Sequence, residues 1–187
     1  MKKKIYKLIF FKMLGWKIVG RMDPNIPKSV IVVVPHTSWY DFFLGLFSRG
    51  IIQLEMNFVG KKELFAFPFH YYFKWMGGEP IDRSANKNHV DSIASIFEKR
   101  KEFRLAIAPE GTRKKVNQWK TGFYYIALKA NVPIIPVAFD YSKKEVVLHE
   151  AFYPTGNIEN DFKTLQKLFV GVKGKVAENS FQPQNED

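Results

Sequence analysis

Val30-Ile31-Val32-Val33-Val34-Pro35-His36-Thr37-Ser38-Trp39-Tyr40-Asp41 is the stretch on which the fold of this 187-residue chain turns. Five branched apolar residues in succession leave no position for a solvated face. Such a run suits a strand buried on both sides, as in a parallel or mixed sheet. Pro35 ends it, because proline offers the ladder no N–H. The residues after it predict a helix over 38–47. Two further runs read the same way: Leu105–Ala108, which stops at Pro109, and Pro133–Phe139. Short strands are predicted at 58–60 and 79–82, and an edge strand at 145–149. Helices are predicted over 63–75, 87–102, 121–130 and 161–170; Val90, Ile93, Ala94 and Phe97 recur at helical spacing in the second of these. Strands alternating with helices imply a single α/β domain with a mixed, largely parallel central sheet flanked by helices.

Composition narrows the function. With 46% apolar and 16% aromatic residues the chain is not disordered. The absence of cysteine excludes disulfides, thiolate metal sites and a cysteine nucleophile, and leans toward a reducing compartment or a bacterial source. The net charge of +11 points to anionic partners. That charge is concentrated in residues 1–21, where Lys2, Lys3, Lys4, Lys7, Lys12, Lys17 and Arg21 stand among apolar side chains with no acid. Lys7 and Lys12 interrupt the stretch too often for a signal peptide or a spanning helix. An amphipathic helix remains, lying either on an anionic membrane surface, the favoured reading, or against the domain. A nucleic-acid partner is not expected, since no basic stripe interleaved with aromatics runs through the rest of the chain. Residues 1–21 thus form a basic, hydrophobic membrane-surface segment, 22–176 the domain, and 177–187 a polar tail.

Functional groups in open α/β sheets gather beyond the carboxyl ends of the strands. His36 stands there with Asp41 five residues on. An imidazole steered by a carboxylate can act as a general base near neutral pH. Ser38-x-x-Asp41 also fits a helix-capping pattern, and both roles can coexist if the two carboxylate oxygens divide the work. No H-E-x-x-H, G-x-S-x-G or glycine-rich nucleotide loop is present, which argues against a zinc protease, a serine hydrolase and an NTPase. No metal site is expected. Arg83 and Arg113 each follow a predicted strand, and two such forks meeting at one pocket would hold a phosphomonoester. Either could equally be a surface arginine, Arg83 pairing with Asp82. Glu110-Gly111-Thr112 suits a tight loop whose N–H groups face an anion or oxyanion.

Together these residues resemble the glycerolipid acyltransferase family, that of the lysophosphatidate acyltransferases. His36 and Asp41 match its H-x4-D motif. Gly60-Lys61-Lys62-Glu63-Leu64-Phe65 resembles the next stretch, Gly78 through Ile81-Asp82-Arg83 the second motif, and Pro109-Glu110-Gly111-Thr112-Arg113 the third. The strand Val132–Val137 resembles the fourth. Pro35 departs from the asparagine common before the motif histidine. The resemblance implies a glycerolphosphate acyltransferase-like fold, with 22–176 as the acyltransferase domain. It implies that His36 deprotonates an acceptor hydroxyl while Asp41 orients it. Arg83 and Arg113 would hold the acceptor phosphate, Glu110, Gly111 and Thr112 would shape the substrate pocket, and Lys61 would help bind phosphate or oxyanion. The donor would be an acyl thioester, acyl-CoA or acyl carrier protein, with no other cofactor. The acceptor would be a lysophospholipid, lysophosphatidate first, with another lysolipid or an aminolipid as the alternative. The enzyme would work as a peripheral protein at the cytoplasmic face of the membrane. A non-catalytic lipid-binding module is the competing reading.

Overall fold

The computed structural model describes residues 2–81 and 89–183. Its sheet follows from the three apolar runs. β2 (Lys28–Val34) lies at the centre, parallel to β5 (Phe103–Ile107) on one side and to β6 (Ile134–Asp140) on the other. Alternate residues of β2 enter opposite cores. Val30, Val32 and Val34 join the cluster built with α4 (His89–Lys99), α5 (Gly122–Ala130) and α6 (Ile158–Lys167). Ile31 and Val33 join the cluster built with α1 (Lys2–Lys7), the turns after it and α2 (Tyr40–Ile52). Burial on both faces explains why the run needs no polar residue.

β7 (Glu145–Leu148) returns antiparallel to β6. It is not the edge strand its half-exposed pattern predicts. β1 (Lys17–Gly20) pairs with it in parallel, giving the order β1-β7-β6-β2-β5. The 1–21 boundary is corrected accordingly: Lys17–Gly20 belongs to the sheet, and Phe10 (0% exposed) and Trp16 are core residues. Leu8–Met13 winds as a π-helix, which displaces side chains from the ordinary 100° helical wheel. Tyr6 packs edge-on against Phe47 of α2, while Lys4, Lys7, Lys12, Ile5, Leu8 and Met13 face outward. The 177–187 tail is also corrected in part. Ser180 and Phe181 are buried, Phe181 against Trp119 in the α4–α6 core.

The helix predicted over 63–75 divides at Pro68 into a 3₁₀ turn, Lys62–Phe65, and α3 (His70–Trp75). β3 (Phe58–Lys61) and β4 (Gly78–Ile81) make a separate parallel pair. Asn57 ties it to β5, donating to the Arg104 carbonyl at 2.7 Å and accepting from the Ala106 amide at 2.8 Å. Gly78 has to be glycine: a Cβ there would meet the Phe73 carbonyl at 2.8 Å and the Phe58 ring at 2.9 Å. No helix among the described residues is long and apolar enough to cross a membrane.

Candidate active site

Three neighbouring parallel strands, β5, β2 and β6, end on the same side of the sheet, and each hands one group to a common point. β2 supplies His36, two residues past its end. α2 begins soon afterwards and carries Asp41 in its first turn. His36 Nδ1 lies 3.0 Å from Asp41 Oδ2. The same oxygen accepts the backbone N–H groups of Thr37 and Ser38, both at 2.9 Å. Capping and histidine contact therefore coexist on one oxygen rather than dividing between two. The other oxygen, Oδ1, accepts the Tyr141 hydroxyl at 2.7 Å. Tyr141 follows the end of β6, a hundred residues from Asp41, and sequence reasoning misses it because no local pattern marks it. β5 leads to Glu110, whose Oε2 accepts the His36 backbone N–H at 2.6 Å.

Asp41 is 3% exposed. Burial pushes its carboxyl pKa up, but the hydrogen bonds from His36, Tyr141 and the Ser38 amide outweigh burial and hold it below its ordinary value. It is a carboxylate at neutral pH. A carboxylate only accepts, so His36 Nδ1 carries hydrogen and Nε2 is left free to take a proton. His36, with 27% of its side chain exposed, lines a cavity of about 460 Å³. The wall is largely apolar, with Val33, Val137 and Phe139 from the sheet, Gly45 and Ile52 from α2, and Phe58 and Phe73 opposite.

Of the other residues expected in the site, Glu110, Gly111, Thr112 and Arg113 are not part of this cavity's wall. Glu110 is 2% exposed and stands behind His36. Gly111 adopts φ +66, with Lys120 packed where a Cβ would be, and its N–H goes to the Ala108 carbonyl at 3.1 Å, so that amide is not aimed at a ligand. Thr112 Oγ1 accepts the Lys114 amide at 3.3 Å. Arg113 is exposed and, like Gly111 and Thr112, does not line the cavity. Lys61 is in β3, and its side chain lies outside the described residues, as does the whole of Arg83. No cluster of three metal-binding side chains occurs among the described residues.

The segment after residue 172 also supports the site. The Val176 amide donates to Thr37 Oγ1 at 3.2 Å, and a Cβ on Gly174 would meet that hydroxyl at 2.5 Å. A backbone hydrogen bond from Phe181 reaches Glu110. The lone Phe181 in an otherwise polar tail is the one signal of this in the sequence.

Burial pushes the Glu110 carboxyl from an ordinary 4.5 up to about 7, against the hydrogen bonds and the His36 charge that favour ionisation. Between those values the folded chain holds a proton that the unfolded chain has released. Stability from this group is therefore full below pH 4.5 and is lost as pH rises through about 7. Glu110→Gln removes that titration. The stability of the variant minus that of the native chain should rise by about 3 kcal/mol between pH 4.5 and 8. Urea melts of both proteins across that range check it; a flat difference would contradict the buried-carboxyl account.

Residues 18–140 match the family model described as Acyltransferase. Over 145 residues the chain is 32% identical to the 1-acyl-sn-glycerol-3-phosphate acyltransferases of Salmonella typhimurium and Escherichia coli, covering 73% of this chain and 58% of each relative. It is 31% identical over 147 residues to a probable enzyme of that name from Mycoplasma pneumoniae, covering 72% and 54%. The chain thus spans a little over half the length of these curated relatives. The crystal structure of the 1-acyl-sn-glycerophosphate acyltransferase from Thermotoga maritima superposes with a TM-score of 0.58, covering 89% of this chain and 74% of that one, at 24% identity, and so shares the fold. A central β2 strand delivering an H-x4-D pair, within the matched stretch of residues 18–140, places the chain in the Acyltransferase family.

Proposed function

We propose that the protein is an O-acyltransferase that moves a fatty acyl group from an acyl thioester to the hydroxyl of a lysophospholipid, with lysophosphatidate as the first acceptor. The observation that carries this reading is the His36–Asp41 pair set in the wall of an apolar cavity. His36 Nε2 takes the acceptor's hydroxyl proton as its oxygen attacks the thioester carbonyl carbon. The C–O bond forms, the C–S bond breaks, and the imidazolium returns the proton to the leaving thiolate. Asp41 stabilises the imidazolium between those transfers. The thioester, acyl-CoA or acyl carrier protein, supplies the activation, so the reading calls for no other cofactor. Arg83, Arg113 and Lys61 are assigned to the acceptor phosphate by resemblance to the family.

The same reading sets the enzyme on the cytoplasmic face of an anionic bacterial membrane. Ile5, Leu8 and Met13 are exposed beside Lys4, Lys7 and Lys12. Trp39 just before α2, Phe42 and Phe43 on it, and Phe67, Phe69 and Tyr71 near α3 are exposed as well. Aromatics of this kind partition into the headgroup region, and lysines favour an anionic leaflet.

Purified protein offered acyl-CoA or acyl carrier protein with a panel of lysophospholipids tests the proposal, with products identified by mass. A diacyl product that needs the acceptor supports it. Thioester hydrolysis unaffected by any acceptor, or no turnover with bound lipid, overturns it.

The cavity makes a separate prediction about the acyl chain. Gly45 lines it, and a Cβ added there meets nothing within 4 Å. Gly45→Leu therefore keeps α2 intact while filling space meant for methylenes. Each excluded CH₂ costs about 0.8 kcal/mol. Donor competition should show long-chain use falling roughly 10- to 100-fold relative to short-chain use. An unchanged ratio would place the acyl chain elsewhere.

A further inference from the structure

Tyr141 lies one residue beyond the stretch that the family model matches, yet it reaches the centre of the site. Its hydroxyl is 2.7 Å from Asp41 Oδ1, the carboxylate oxygen that His36 does not use. Its own position is set by residues also outside the matched stretch. The Tyr141 amide donates to the Lys173 carbonyl at 2.8 Å. Its ring stands edge-to-face with Trp16, centroids 4.8 Å apart, and Trp16 in turn packs on the fully buried Phe10 at 6.2 Å. The segment before β1 thus packs on the ring that touches Asp41, and the segment after α6 holds its backbone.

We propose that Tyr141 is a positioning residue for the His36–Asp41 pair, sharing the Asp41 charge through Oδ1 and so setting how strongly Oδ2 holds the imidazole. This rests on the acyl-transfer reading only for its effect on rate; the effect on His36 itself does not. Burial and the neighbouring Asp41 charge hold the Tyr141 hydroxyl far above its ordinary pKa, so it donates at every working pH. Losing the donor does not release the carboxylate, because the Thr37 and Ser38 amides still grip Oδ2. It leaves more negative charge facing His36, and a nearby negative charge favours the imidazolium.

The groups around the pair give no substitute. Glu110 faces His36 through its backbone N–H. Asp140 turns to Ser142 and Lys143. Lys175 lies over the Tyr40 ring, and Lys144 reaches the Leu14 carbonyl.

Tyr141→Phe keeps the ring against Trp16 and removes only the hydroxyl. NMR titration of the full chain, with the His36 resonance assigned by its loss in His36→Ala, should show the His36 signal titrating at higher pH than in the native chain. The acid limb of the pH–rate profile should move in the same direction. In an Asp41→Asn background the Tyr141→Phe change should leave the His36 midpoint where it is, since the charge being shared is gone. An unmoved His36 midpoint in the single variant, or an equal shift in both backgrounds, overturns the proposal. A shifted midpoint in a protein without acyl transfer would sink the functional reading and leave Tyr141's role standing.

Discussion

On the proposed mechanism, alanine at position 36 should cut kcat for acyl transfer by roughly 10²- to 10⁴-fold with little change in donor binding. An alcohol is a poor nucleophile until its proton leaves, and Nε2 of His36 is the group placed to take it. Its Nδ1 is occupied by Asp41 at 3.0 Å, and its backbone is tied to Glu110 at 2.6 Å. Among the remaining histidines, His70, His89 and His149, none lines the cavity. The proposed acyl site is made of apolar walls that the substitution leaves in place, so the effect should fall on the chemical step. Single-turnover measurements of product formation, with donor affinity measured separately, check this split. Activity within tenfold of the native chain would mean that another base serves and that the mechanism is wrong.

The parts of the molecule visible in the sequence are those whose cause is local. Val30–Val34 reads as a two-sided buried strand because five apolar residues in a row have no other common use, and its neighbours β5 and β6 read likewise. The His36–Asp41 pair is visible because both residues sit on one strand–helix turn. What escaped depends on distant partners. β1 is four residues with three positions exposed and the fourth half-buried, and only pairing with β7 makes it a strand. β7 carries the alternating burial of an edge strand and lost that place only because β1 covers it. Phe181 looks like part of a polar tail until Trp119 and Phe169 surround its pocket. Tyr141 meets Asp41 because β6 lies beside β2 in parallel register, Val34 opposite Ala138, so that their ends coincide. The cavity is a gap between α2 and the sheet, and no single segment encodes it.

Asparagine at position 41 separates the geometry of the pair from its charge, and transfer should fall by roughly 10³-fold in kcat. In the serine-protease triad the matching change costs about 10⁴-fold, because the amide leaves histidine in the wrong tautomer. Here the local hydrogen bonds work against that. The Thr37 and Ser38 N–H groups both point at Oδ2, so the asparagine carbonyl has to occupy that place and its NH₂ has to face Tyr141. A tyrosine hydroxyl can accept as well as donate. The carbonyl therefore still receives the His36 Nδ1–H, and the tautomer is kept. What is lost is the negative charge that, on the proposed mechanism, stabilises the imidazolium while the acceptor oxygen attacks. The His36 midpoint should then fall, and the acid limb of the pH–rate profile should move to lower pH, opposite to the shift expected for Tyr141→Phe. Asp41→Ala should be more damaging, since it also strips the acceptor from the Thr37 and Ser38 amides and loosens the turn that carries His36. An asparagine variant with native turnover would show that the carboxylate caps the helix and contributes nothing to proton transfer.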